Sequence, residues 1–242
     1  MAQRPYAFNR PTMVPPDMMK ALILAAGRGE RMRPLTDAMP KPLLTAGGRT
    51  LIEWHLRAIE SAGIKDVVVN LSWLGEQIRQ SLADGADYGL RIDYSDEGPE
   101  ALETGGGIRR ALSLLGDAPF LVVNADVWTD CPLPPKTGLD GKLAHIVLVP
   151  NPDHNPDGDF GLVDGLIRNE GGNRYTFSGV GVYDPALFDG RTEERFPLEP
   201  VLAEAIDAGQ VSAELYTGRW FDVGTPERLE SLRRYLETRP ES

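Results

Sequence analysis

Along the first half of the chain, apolar and polar positions follow two alternating patterns. Short apolar runs bounded by glycine or charge mark buried strands, and apolar stripes recurring every three or four residues mark helices. Residues 20–26 (KALILAA) are apolar almost throughout, stop at Gly27 and are too few for a typical helix, so they read as a buried strand. Leu51, Trp54, Ala58, Ile59 and Ala62 form a helical stripe that Gly63 ends. Residues 66–71 predict a second strand, and Leu74, Ile78 and Leu82 predict a helix over 73–83. Residues 91–95 read as a third strand, 106–115 as a helix, and 119–126 as a fourth strand that ends on Asp126. This alternation predicts an α/β fold: a mixed, mostly parallel sheet flanked by helices, with right-handed crossovers.

The second half is less regular. Residues 143–149, 160–163, 175–183 and 219–224 read as strands and 198–208 as a helix, while the proline- and aspartate-rich 150–159 reads as a loop. Thr225 and Pro226 are the cap and first residue of a last helix, whose mixed charges over 227–239 read as a solvated face. No internal repeat or linker divides residues 19–242, which are expected to form one domain; residues 1–18, with four prolines and no apolar centre, are expected to be a disordered tail.

Composition narrows the function classes. The 26 glycines and 20 prolines among 242 residues are too few for a low-complexity chain, and 41% hydrophobic residues can fill a core. A net charge of −11 argues against a dedicated nucleic-acid binder but leaves room for a small anion in a locally basic pocket. The single cysteine, Cys131, allows no intrachain disulfide and no cysteine metal cluster, which fits a cytoplasmic setting. No apolar run approaches the ~20 residues that span a bilayer, so no membrane partner is expected.

The most informative stretch follows the first strand. Gly27 and Gly29 let backbone amides approach a phosphate, and Arg28, Arg31, Arg33 and Lys41 outnumber Glu30 and Asp37 between Gly27 and Lys41. A loop at the carboxyl end of a parallel strand is where open α/β sheets bind ligands. Two familiar phosphate loops fail here. No Gly-Lys-Ser/Thr occurs, and Met32 stands where the dinucleotide fingerprint needs its third glycine.

The longer string, LAAGRGERMRPLT over residues 24–36 followed by PKPL over 40–43, resembles the signature of the sugar-1-phosphate nucleotidyltransferases. The resemblance implies a single Rossmann-like nucleotidyltransferase domain that joins an NTP to a sugar 1-phosphate and releases pyrophosphate. It implies that Ala25, Ala26, Gly27, Gly29 and Asn124 hold the nucleotide, with Arg31 and Lys41 as catalytic cations. Asp126 and Asp222 each end an apolar stretch, and two carboxylates meeting phosphates suit Mg²⁺; the family places its metal aspartates in these two motifs.

The run LETGGG over residues 102–107 resembles the subgroup of short bacterial enzymes that make UDP-N-acetylmuramate, which implies UTP and N-acetylmuramate 1-phosphate as substrates. In the family this glycine turn, here Gly105 and Gly106, contacts the base. Glu97 stands where relatives place a base-reading Gln or Glu, and it would accept uracil N3–H or guanine N1–H alike. Asp159, Ser178 and Gly179 match segments that line the sugar pocket. A second phosphate-binding lysine found in many relatives is missing; Arg174 or Arg219 could replace it, and His154 could approach the sugar. The competing readings are a guanylyl- or uridylyltransferase for mannose or glucose 1-phosphate, a nucleotide-sugar sensor without turnover, and a dinucleotide-dependent dehydrogenase. A monomer or small homo-oligomer is expected.

Overall fold

The computed structural model describes residues 18–135, 139–163 and 165–238. The expected tail, Met18 apart, lies outside them. The elements run β1 (Lys20–Leu24), β2 (Thr45–Ala46), β3 (Arg49–Thr50), α1 (Leu51–Ser61), β4 (Asp66–Leu71), α2 (Gly75–Leu82), β5 (Arg91–Asp96), α3 (Glu103–Leu115), β6 (Phe120–Asn124) and β7 (Val127–Thr129). They continue with β8 (Ala144–Val149), β9 (Phe160–Val163), β10 (Leu166–Arg168), β11 (Asn173–Tyr183), α4 (Leu198–Asp207), β12 (Val211–Leu215), β13 (Trp220–Asp222) and α5 (Pro226–Glu237).

Among the described residues nine strands form one mixed sheet, with the path β10-β9-β11-β6-β1-β4-β5 and with β8 and β12 branching from β11. The half built from β6, β1, β4 and β5 is parallel throughout, as the strand–helix alternation predicts. β11 runs antiparallel to β6, β8 and β9 and turns the second half onto the first.

Continuous apolar strands arise because the sheet is covered on both faces. Ala21 and Ile23 of β1 pack with Ile52, Leu56 and Ile59 of α1 and Ile78 of α2. Leu22, between them in sequence, faces the other way and packs with Ile108, Ala111 and Leu115 of α3. A third cluster joins Met32, Leu51 and Trp128 to Leu229 and Leu232 of α5, flanked by Trp54, Phe221 and Tyr235. The last helix is therefore amphipathic, and its charged sequence conceals a buried stripe; the reading of it as a solvated face holds for only one side.

Local chemistry sets the ends of the helices. Thr50 and Glu53 form a reciprocal capping box at the start of α1. Thr225 caps α5 by accepting from Arg228 N, with Pro226 at its first position. α3 departs from expectation by taking its glycines inside the first turns and beginning at Glu103. The predicted strand over 119–126 stops at Asn124, and Ala125 and Asp126 form a turn into β7.

Candidate active site

The carboxyl ends of β1, β4, β5 and β6 open into a cleft of about 410 Å³. Its walls include Ala25, Ala26, Gly27, Gly29 and Arg31 after β1, Lys41, Asn70 from β4, Glu97 after β5, Glu103 and Thr104 from α3, and Asn124 and Asp126 after β6. The cations and glycines lie at one end and Glu97 at the other. This is the position at which open parallel sheets bind nucleotides.

At the cationic end, Gly29 adopts φ 66°, a left-handed turn into the short 3-10 helix Glu30–Met32. A Cβ there would also press on Lys41, 3.3 Å from its Cβ. Thr36 Oγ1 donates to Gly29 O at 2.7 Å, and the Arg28 guanidinium lies 3.5 Å over the Trp73 ring while donating to Thr36 O. These contacts strap the loop down. Lys41, held in a 3-10 turn between Pro40 and Pro42, is buried, and its Nζ donates to Asp126 Oδ2 at 2.7 Å.

Asp222 reaches the same region by another route. β13 pairs with β7, and Val223 N donates to Asp126 O, so the backbones of the two aspartates run side by side. Asp222 Oδ2 accepts from Arg228 Nη1 at 2.7 Å and lies 3.0 Å from His154 Nε2. Asp222 itself is not among the cleft walls, although Gly224, two residues on, is. A Cβ on Gly224 would overlap the Arg228 guanidinium. His154 thus comes within reach of the site through Asp222, while Arg228 was hidden in a helix whose charges read as solvated.

At the other end Glu97 is buried. Its Oε1 accepts from Asn70 Nδ2 at 2.6 Å and its Oε2 from Leu102 N at 2.7 Å. Burial raises the carboxyl above its ordinary pKa, against the pull of those two hydrogen bonds. Asn70 Oδ1 in turn accepts from Ala25 N at 2.5 Å and Ala26 N at 3.2 Å. The amides of Ala25 and Ala26 are therefore engaged inside the protein, and the free cradle begins at Gly27.

The three glycines of α3 answer to packing. A Cβ on Gly105 would overlap the Phe196 ring, one on Gly106 the Glu194 carbonyl, and one on Gly107 the Glu97 carboxylate. Gly105 and Gly106 are not cleft walls, and Gly106 N donates to Phe196 O. Their expected contact with a base has no support in this geometry. It is Glu103, with φ 61°, and Thr104 that line the cleft.

On the sugar side, Asp159 accepts from Asn155 Nδ2 and Phe177 N, pinning the 150–159 loop to β11. Ser178 is buried, and its carbonyl accepts from Trp220 Nε1. Gly179, at φ 80°, sits where the β8–β11 register shifts; a Cβ there would lie 2.8 Å from Asn124 Nδ2. None of the three is a cleft wall. Arg174 spends its guanidinium on the carbonyls of Asp157, Gly158, Asp159 and Asn169, so it organises the loop and is not available as the missing phosphate cation. Arg219 points its guanidinium toward the Tyr235 ring. His55 and His145 are buried.

The cleft and its loop define a nucleotide-handling α/β enzyme, and the comparisons agree. The model of the family described as "Nucleotidyl transferase" matches residues 20–170, and the chain belongs to that family. The chain is 52% identical to an N-acetylmuramate alpha-1-phosphate uridylyltransferase from Neisseria meningitidis serogroup B, over 89% of this chain and 97% of the relative. It is 32% identical to a protein of the same name from Caulobacter vibrioides, over 86% and 92% of the two chains. The fold superposes on HddC from Yersinia pseudotuberculosis, solved with GMP-PN, with a TM-score of 0.70 at 20% identity, covering 90% of this chain and 99% of that one.

Proposed function

We propose that the protein transfers a uridylyl group from UTP to a sugar 1-phosphate, N-acetylmuramate 1-phosphate, releasing pyrophosphate. The observation that carries this reading is the Lys41–Asp126 pair, its ammonium buried, set beside the Gly27–Arg31 cradle in one cleft that Glu97 also lines. The 52% identity to a relative of that activity supplies the substrate names.

The chemistry needs no general base. A sugar phosphate with a second pKa near ~6 is already a nucleophile at neutral pH. Its oxygen attacks the α-phosphorus; the new P–O bond forms as the α–β bridge breaks, and pyrophosphate carries away the electron pair. Catalysis then reduces to alignment and charge neutralisation. Lys41 holds the α-phosphate or the incoming phosphate, and the Gly27 and Gly29 amides with Arg31 hold the leaving pyrophosphate. Asn124 lines the cleft, and Gly179 behind it leaves room for its side chain.

Asp126 and Asp222 fit Mg²⁺. They are two carboxylates on adjoining backbones, and no cluster of three or more ligating side chains competes among the described residues, so phosphate oxygens and water would complete the shell. Such an ion supplies charge neutralisation between two anions. Lys41 and Arg228 now hold these carboxylates as internal counter-ions.

A pyrophosphate-release panel over four NTPs and several sugar 1-phosphates tests the reading. Turnover confined to UTP with N-acetylmuramate 1-phosphate is expected. GTP with mannose 1-phosphate as the preferred pair would replace it, and binding without turnover would make the protein a sensor.

A further inference from the structure

We propose that Asn70 is a specificity-determining residue: it holds Glu97 as a carboxylate that only accepts hydrogen bonds, and so selects a base with a ring N–H over one with a bare ring nitrogen. The proposal rests on the nucleotide reading above and deepens it.

Donor and acceptor accounting leaves little choice. Ala25 N–H and Ala26 N–H both point at one atom of the Asn70 amide, so that atom is the oxygen and the NH₂ must face Glu97. Glu97 receives one donor on each oxygen, Asn70 Nδ2 and Leu102 N–H. A neutral glutamine at 97 has only one oxygen for those two donors, and its own NH₂ would meet the other donor. The carboxylate is therefore matched from within, and the lone pairs it shows the cleft can only accept. Uracil presents N3–H there, and cytosine presents a bare N3.

The fold protects this arrangement. Asn70 and Glu97 are 3% and 6% exposed, and Gly107 of α3 is kept without a Cβ that would overlap the Glu97 carboxylate. Asn70 is the polar residue in the apolar run of β4, at the strand end beside Leu24 of β1. It thus ties the backbone that opens the phosphate cradle to the group at the base end.

Reversing the hydrogen-bond direction is the test. Asn70→Asp alone sets two carboxylates at hydrogen-bond distance, and Glu97→Gln alone leaves two donors for one acceptor; each weakens UTP binding. In N70D/E97Q the glutamine NH₂ donates to the aspartate and its carbonyl accepts from Leu102 N–H, restoring a full match at unchanged charge. That amide shows the cleft both an N–H and a lone pair, so it accommodates cytosine. UTP and CTP affinities are measured by titration calorimetry with Mg²⁺ and no acceptor sugar, alongside pyrophosphate release and melting temperature. The wild type should prefer UTP by more than about tenfold, the scale of one mispaired hydrogen bond. The double variant should recover the melting temperature lost in the single variants and bring the two affinities within about threefold.

Asn70→Ala gives a second reading that does not depend on the double variant, with a UTP:CTP ratio reduced at least about threefold. A wild-type ratio near one, or a ratio unchanged in N70A or N70D/E97Q, overturns the proposal. A wild type that binds no nucleoside triphosphate overturns the nucleotide reading itself, a separately visible outcome.

Discussion

Lys41 Nζ lies 2.7 Å from Asp126 Oδ2, a buried ammonium set against a carboxylate whose side chain is 39% exposed. The lysine reaches the cleft through the polypeptide interior, between two prolines and under a glycine that leaves it room. Such a cation is fixed before the substrate arrives, which is the condition under which one charge contributes most to a transition state.

Lys41→Met should lower turnover by ~10²-fold or more, as the loss of one preorganised donor does elsewhere. Steady-state pyrophosphate release checks this, with kcat falling more than the KM for UTP rises. A loss below about threefold would remove Lys41 from the reacting phosphates.

Asp126→Asn keeps a carbonyl oxygen for Lys41 and removes the charge. Turnover should fall to background while the melting temperature shifts by no more than roughly 4 °C, equivalent to about 1 kcal/mol in a domain of this size. Differential scanning calorimetry and calorimetric Mg²⁺ titration in the presence of UTP check both halves. Full activity would take Asp126 out of the metal site.

Gly107→Ala sets a methyl group against the Glu97 carboxylate and Asn70. Overpacking of this kind costs about 1–3 kcal/mol. The KM for UTP should rise along with the loss of stability, because the displaced group is the one at the base end. Chemical denaturation paired with UTP saturation curves separates the two effects.

Burial drives the His55 imidazole down to about 4, with a hydrogen bond to the Val127 backbone and the charge of Asp126 opposing the shift. A folded pKa below the unfolded one means that the unfolded chain takes up the proton first as pH falls. Stability from this group is complete above pH 6.5 and is lost progressively down to about pH 4. The span corresponds to about 3 kcal/mol. Melting temperatures from pH 4 to 8 should fall less steeply on acidification in a His55→Leu variant than in the wild type.

The parallel half of the fold was legible because its strands are buried on two faces and its helices on one, so hydrophobic period alone separates them. The cradle and Lys41 were legible because their residue types follow one another in sequence. What could not be read depends on tertiary contact. Glycines 105–107 read as a base-contacting turn at a helix start, yet they lie within the helix because Phe196, Glu194 and Glu97 leave no room for a Cβ. Arg228 carried no mark distinguishing it from the other charges of α5, and it reaches back six residues to Asp222 only because Gly224 leaves its guanidinium room. Arg174 has the right chemistry for a phosphate and is consumed by loop carbonyls. Asn70 left a visible trace, one amide in a run of valines, but its meaning required the partners on β1 and after β5.

Both carboxylates at the phosphate end already carry a positive partner from their own chain, Lys41 for one and Arg228 for the other. The mouth of the cleft is therefore close to electrically balanced, in a molecule whose overall charge is −11. A polyanionic nucleotide meets its repulsion at a distance and sheds it on arrival. Because salt screens distant charges first, moderate ionic strength should quicken the encounter.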